Sequence, residues 1–145
     1  MSWQAMEAPS AGRDVMRSAL RGMRCRCPAC GEGRLFARFL KVADHCASCG
    51  EALHHHRADD APPYAVIFIV GHLIVGFVLS VEVAWAPPMW VHLAIWMPLT
   101  LAMSLAMLPP VKGALVGVQW ALRMHGFDPA SPEALEFRSE VGTAR

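Results

Sequence analysis

Residues 64–85 read YAVIFIVGHLIVGFVLSVEVAW, residues 86–88 read APP, and residues 89–108 read MWVHLAIWMPLTLAMSLAML. Each long run matches the roughly 20 apolar residues that a helix needs to cross a bilayer. The three-residue connection Ala86-Pro87-Pro88 leaves room for an antiparallel hairpin and nothing larger. Tyr64, Trp85 and Trp90 fall near the ends of the runs, where amphipathic rings favour the membrane–water boundary. No Lys or Arg lies between Tyr64 and Leu108. The positive-inside rule therefore places both termini on the cytoplasmic side. The competing reading is a buried hairpin in a soluble protein.

Composition agrees with a membrane class. Of 145 residues, 54% are hydrophobic and 17% charged, and the net charge is +1, so no overall basic field draws in nucleic acid. The first ten residues lack a signal-peptide layout.

Upstream of the hairpin stand Cys27-Pro28-Ala29-Cys30-Gly31 and Cys46-Ala47-Ser48-Cys49-Gly50. Two Cys-x-x-Cys pairs at this separation match a four-cysteine zinc pattern. A two-residue gap lets one turn bring both sulfurs to the metal, and four protein ligands leave no open position. The zinc is then structural, with Cys27, Cys30, Cys46 and Cys49 as ligands; two disulfides or four free thiols are the competing readings. The glycine after each pair suits positive φ. The fifth cysteine, Cys25, fits no ligand position, and His45 is a weaker substitute ligand.

The fold class expected is a mainly α membrane protein: a two-helix transmembrane hairpin with a small zinc-ribbon-like β head before it and an interfacial helix after it. Residues 1–24 form a flexible segment with a basic amphipathic part, in which Val15, Met16, Ala19, Leu20 and Met23 oppose Arg13, Arg17, Arg21 and Arg24. That segment lies on an anionic membrane surface, packs on its own protein as a short helix, or is a frayed tail. The head covers 25–53, a polar linker 54–63, and the hairpin 64–108. Residues 110–126 form an amphipathic helix ending at Gly126, and 127–145 a polar tail, helical from Pro132 to Glu140. His54, His55 and His56 are adjacent and do not converge on one ion; their role is open. Carboxylates among Arg57–Asp60 sit where they favour a helix N-terminus.

Within the hairpin, a turn centred near Pro87 pairs His72 with Ala102, Gly76 with Pro98 and Ser80 with Ala94. His72, Gly76, Ser80 and Ala84 recur every four residues, as do Ala94, Pro98, Ala102 and Ala106. Small residues on facing stripes allow close approach of membrane helices, so these are the expected packing faces. His72, Glu82 and His92 are intramembrane ionisable residues and default to functional candidates. Three readings stand: Glu82 and His92 pair structurally; the three bind a metal or haem; or they meet a partner's helices. Glu82 and His92 lie off the small-residue stripe, which favours a partner or the headgroup zone. Met89, Met97, Met103 and Met107 suit Cu(I) chemically but form no tight motif.

The run Cys27 to Phe36 (Cys-Pro-x-Cys-Gly-x-Gly-x-Leu-Phe), Phe39-Leu40-Lys41-Val42, Cys46-x-x-Cys-Gly, Arg57-Ala58-Asp59-Asp60-x-Pro-x-Tyr64, Gly71-His72, Leu108-Pro109-Pro110-x-Lys112-Gly113 and Gln119-Trp120 together resemble a bacterial membrane family, domain of unknown function 983. The resemblance covers roughly Arg24 to Gly126. It implies a small inner-membrane protein with a cytoplasmic zinc-ribbon-like head. Genes of such proteins often lie near cytochrome oxidase assembly genes, which associates the family with respiratory-complex biogenesis. It brings no catalytic residues.

The function expected is a non-enzymatic inner-membrane adaptor or assembly factor with structural zinc, whose partners are the bilayer and a membrane protein or a second copy. The alternatives are a metal or haem carrier using His72, Glu82, His92 and nearby methionines, and a membrane-tethered nucleic-acid binder using Arg24, Arg26, Arg34, Arg38 and Lys41. The positive-inside rule already accounts for those basic residues, so nucleic acid is not the expected partner. No phosphate loop, Gly-x-Ser-x-Gly or His-Glu-x-x-His motif occurs.

Overall fold

The computed structural model describes residues 12–55, 61–128 and 132. The expectations for residues 1–11, His56, the Arg57–Asp60 cluster and the tail helix beyond Pro132 lie outside the described residues. In order come α1 (Val15–Met23), β1 (Phe36–Arg38), β2 (Lys41–Val42), α2 (Ala61–Trp85), α3 (Met89–Ala121) and a 3₁₀ turn (His125–Phe127). The protein is mostly helical, with two long apolar helices and a two-stranded antiparallel sheet in the N-terminal part. Both α2 and α3 are long and apolar enough to cross a membrane, and their large side chains are mostly exposed. An apolar surface of that extent points to membrane association.

Pro62 and Pro63 occupy the first turn of α2, where a missing N–H costs nothing. Ala86 takes φ 42° and closes the helix with a bond from its N–H to the Glu82 carbonyl, and Pro88 caps the start of α3. The separate helix expected at 110–126 is instead the C-terminal third of α3, which passes through Pro98, Pro109 and Pro110 without a break. Proline removes one helical hydrogen bond and usually ends or kinks a helix in water. Here α1 packs along α3 just beyond the proline pair and holds the helical continuation in place. At 1.5 Å per residue α3 is about 50 Å long, well over the roughly 30 Å hydrocarbon core, so its end projects beyond the apolar run.

The hairpin packs through a different face from the one the small residues suggest. Val66, Val70 and Ile74 form its core, against Val78, Trp96, Met103, Met107, Leu108 and Val111. His72, Gly76, Ser80, Ala84, Ala94, Pro98, Ala102 and Ala106 are all exposed, and a Cβ on Gly76 would meet no atom within 4 Å. On α2 the branched stripe and the small stripe both recur every four residues and lie about 200° apart. Branched side chains interdigitate with Trp96 and the methionines, so close backbone approach is not what joins these helices.

Close approach occurs at α1 instead. A Cβ on Gly22 would fall 1.9 Å from the Gly113 carbonyl oxygen, one on Gly113 would fall 2.0 Å from that of Gly22, and one on Gly117 would fall 2.3 Å from that of Ser18. Ser18 and Gly22 are the buried residues of α1, while Met16, Leu20 and Met23 are exposed. Thus α1 packs on its own protein by its small edge, and its apolar face stays open. Asp14 caps its start by accepting from the Arg17 N–H. Substituting Gly113→Ala places a methyl against backbone that no rotamer change can relieve. Thermal unfolding in detergent is expected to show a loss of about 1–3 kcal/mol. The comparison variant Gly76→Ala, in open space within a helix, is expected to be neutral or to gain about 0.5–1 kcal/mol.

Candidate metal centre

Each Cys-x-x-Cys pair sits in the same turn. The Gly31 N–H donates to the Cys27 carbonyl at 2.8 Å, and the Gly50 N–H donates to the Cys46 carbonyl at 2.9 Å. Gly31 and Gly50 take φ 78° and 75°, the left-handed region that glycine enters without strain. The Arg26–Arg34 bridge closes one turn and the His45–Ala52 bridge the other. Gly33 is required by close approach, since a Cβ there would lie 2.3 Å from Cys46 Sγ.

The four sulfurs of Cys27, Cys30, Cys46 and Cys49 lie within 4.8 Å of one another. Cys27–Cys49 and Cys30–Cys46 are both 3.8 Å apart. Metal–sulfur bonds of about 2.3 Å in a tetrahedron give edges of about 3.8 Å, so the arrangement fits one tetrahedral ion. It does not fit disulfides, and all five cysteines are free. Four thiolates suit zinc. His45 lies outside the set, with its ring 5.5 Å from that of His54.

The thiols differ in proton affinity. Burial pushes Cys27 up to about 12 and raises Cys49, whereas N–H groups of Gly33 and Glu32 lower Cys30 to about 6. A metal binds thiolates, so it must displace the protons on Cys27 and Cys49. Binding therefore strengthens as pH rises, and acid releases the ion.

Cys25 has a structural position. With φ 57° it is the first residue past the C-cap of α1. Its N–H donates to the Gly22 carbonyl, and that of Arg26 to the Arg21 carbonyl, the bond pair that ends helices at a left-handed residue. Glycine is the usual occupant of such a position.

The head borrows its core from α3. Cys27, Leu35, Val42, Cys46 and Leu53 cluster with Val116 and Phe127, and Val116 is 0% exposed. Arg21 donates to the Pro28 and Ala29 carbonyls at 3.1 and 2.7 Å, tying the first turn to α1. Trp120 Nε1 donates to Glu51 at 2.8 Å, tying the second turn to α3. Arg13 stacks on the Trp120 ring and donates to its carbonyl at 2.8 Å. The sequence contains these partners, but the signal for their pairing is faint: Ser18/Gly22 and Gly113/Gly117, each four residues apart.

Of the intramembrane candidates, Glu82 and His92 meet at 2.9 Å, the internal pairing that their position off the small-residue stripe argued against. They continue the Val66–Val70–Ile74–Val78 stripe rather than the small one. Trp96 Nε1 donates to His92 Nδ1 at 3.0 Å. An indole N–H only donates, so Nδ1 accepts and Nε2–H donates to the Glu82 carboxylate. His72 is not joined to them; its Nδ1 donates to the Phe68 carbonyl at 2.7 Å.

The model of a family described as Protein of unknown function (DUF983) matches residues 36–120. The matched segment holds the second cysteine pair, both long helices and Trp120, and begins after the first cysteine pair. No curated protein and no solved structure matches the chain.

Replacing Cys27→Ser or Cys46→Ser is expected to abolish stoichiometric zinc, measured by elemental analysis of purified protein. Cys25→Gly is expected to keep it and to raise stability by about 1 kcal/mol, the left-handed penalty that glycine avoids.

Proposed function

The chain belongs to the family described as Protein of unknown function (DUF983), and from that premise we propose a non-enzymatic membrane adaptor or assembly factor. Its resident metal is structural zinc, its spans are α2 and the apolar part of α3, and its head stands at the cytoplasmic face of a bacterial inner membrane. The observation that carries this reading is the way the head is built. The four-thiol site fits a metal with no open coordination position, and the core around it includes Val116 of a membrane helix. A site of this kind supplies folding free energy rather than chemistry. What it rigidifies is a surface fixed to the end of a span, which suits holding a membrane client. The genomic association of the family makes respiratory-complex subunits or their assembly factors the client class.

The carrier reading has one observation in its favour. With Nδ1 engaged by Phe68, His72 keeps Nε2 open among the described residues, on an exposed face of α2. His92 has both nitrogens engaged, so the set of three reduces to His72.

Affinity purification in mild detergent is expected to recover oxidase subunits or assembly factors with the protein. Repeated recovery of the protein alone overturns the adaptor reading. One zinc per chain, without copper or a haem absorption band, removes the carrier reading.

A further inference from the structure

Depth in the bilayer can be read along α3, given the reading of α2 and α3 as spans, on which this inference rests. The apolar part of α3 ends at Leu108. Gly22 packs on Gly113, Ser18 on Gly117, and Arg13 on Trp120. Hence α1 runs antiparallel to α3, and its C-terminal end points toward the membrane. A Cβ on Gly113 would lie 3.3 Å from Leu35 Cδ2, which sets the Arg34–Leu35 segment at the same level. Gly113 is about 7.5 Å past Leu108 along the helix axis. The headgroup layer is about 5–8 Å thick on each side of the hydrocarbon core. The end of α1 and the Arg34 segment thus lie within it.

At that level Arg24, Arg26 and Arg34 line a cavity of about 350 Å³ together with Cys25, Glu32 and Phe36. All three arginines are exposed, and none forms an ion pair with another described residue. Arg26 and Arg34 are direct cross-strand partners in the bridge that closes the first cysteine turn. Like charges opposite each other on adjacent strands repel. One carboxylate, Glu32, stands among three guanidiniums, so the cavity keeps a positive surplus that an anion would relieve.

We propose that this cavity binds the phosphate of an anionic phospholipid headgroup. Guanidinium forks present paired N–H donors that match phosphate oxygens. Phe36, at the same rim, offers apolar contact to the glycerol end of the lipid. The site holds the first cysteine turn against the membrane surface, because Arg26 and Arg34 close that turn and face the headgroup. A nucleic-acid phosphate would meet the same guanidiniums, but the depth of the cavity favours the lipid.

The test uses the full chain in nanodiscs of zwitterionic phospholipid, with and without anionic phospholipid, followed by hydrogen–deuterium exchange. Amides of residues 24–36 are expected to exchange more slowly in the anionic discs, by about fivefold for each engaged arginine. The Arg26→Gln/Arg34→Gln variant is expected to lose that difference while retaining zinc. The Arg26→Lys/Arg34→Lys variant is expected to keep part of it; its loss there too would assign the effect to folding and overturn the proposal. Equal exchange in both disc types overturns it, as does the same protection in zwitterionic discs on adding inorganic phosphate or an RNA oligonucleotide. A protein that fails to enter discs of either kind overturns the span reading instead, whereas one that enters both and shows no lipid response at 24–36 overturns the headgroup site alone.

Discussion

Backbone meets backbone where α1 crosses α3, and the rest of the head depends on that contact. Gly22 and Gly113 leave no room for a Cβ on either side, and Ser18 and Gly117 repeat the arrangement one turn away. In a small domain such contacts are isolated conveniences. Here they set the distance between a span and the first cysteine turn, because Arg21 on α1 holds the Pro28 and Ala29 carbonyls. The second turn is set from the other end, through Glu51 and Trp120. Both halves of the metal site are thus positioned by α3.

This arrangement addresses a deficit of size. A segment as short as 25–53 buries too little apolar surface to fold alone, and metals commonly supply the difference. The chain is arranged for two remedies together. The four thiols draw two turns onto one point, and Val116 and Phe127 fill the space beneath them. Leu35 and Leu53, both fully buried, touch this shared core rather than one belonging to the sheet.

Much of the architecture was legible because its signals are local. Two apolar runs around Ala86-Pro87-Pro88 give a hairpin, and doubled Cys-x-x-Cys-Gly gives a metal site, since both depend on spacing along the chain. The depth match of Glu82 with His92 was likewise available from the turn centre. The packing face was not, because α2 carries two stripes of equal period and periodicity alone cannot rank them. Small residues were the natural choice by analogy with close-packed spans, yet Val70, at 1% exposed, marks the real seam. The continuity of α3 through Pro109-Pro110 was hidden for a related reason. Local propensity ends a helix there, and the packing that overrides it comes from α1, more than 80 residues earlier. Gly22 reads in isolation as a weak point of α1, and its value appears once Gly113 is set against it.

An unbroken α3 also removes any hinge between bilayer and head. The helix turns 100° and rises 1.5 Å for every residue. Lengthening it by a single residue before Pro109 would swing both cysteine turns about a quarter-revolution around the membrane normal while scarcely changing their height. The spans therefore act as a spindle: their length in residues sets the compass bearing of the head, and a neighbour in the same membrane would meet the head at one fixed azimuth.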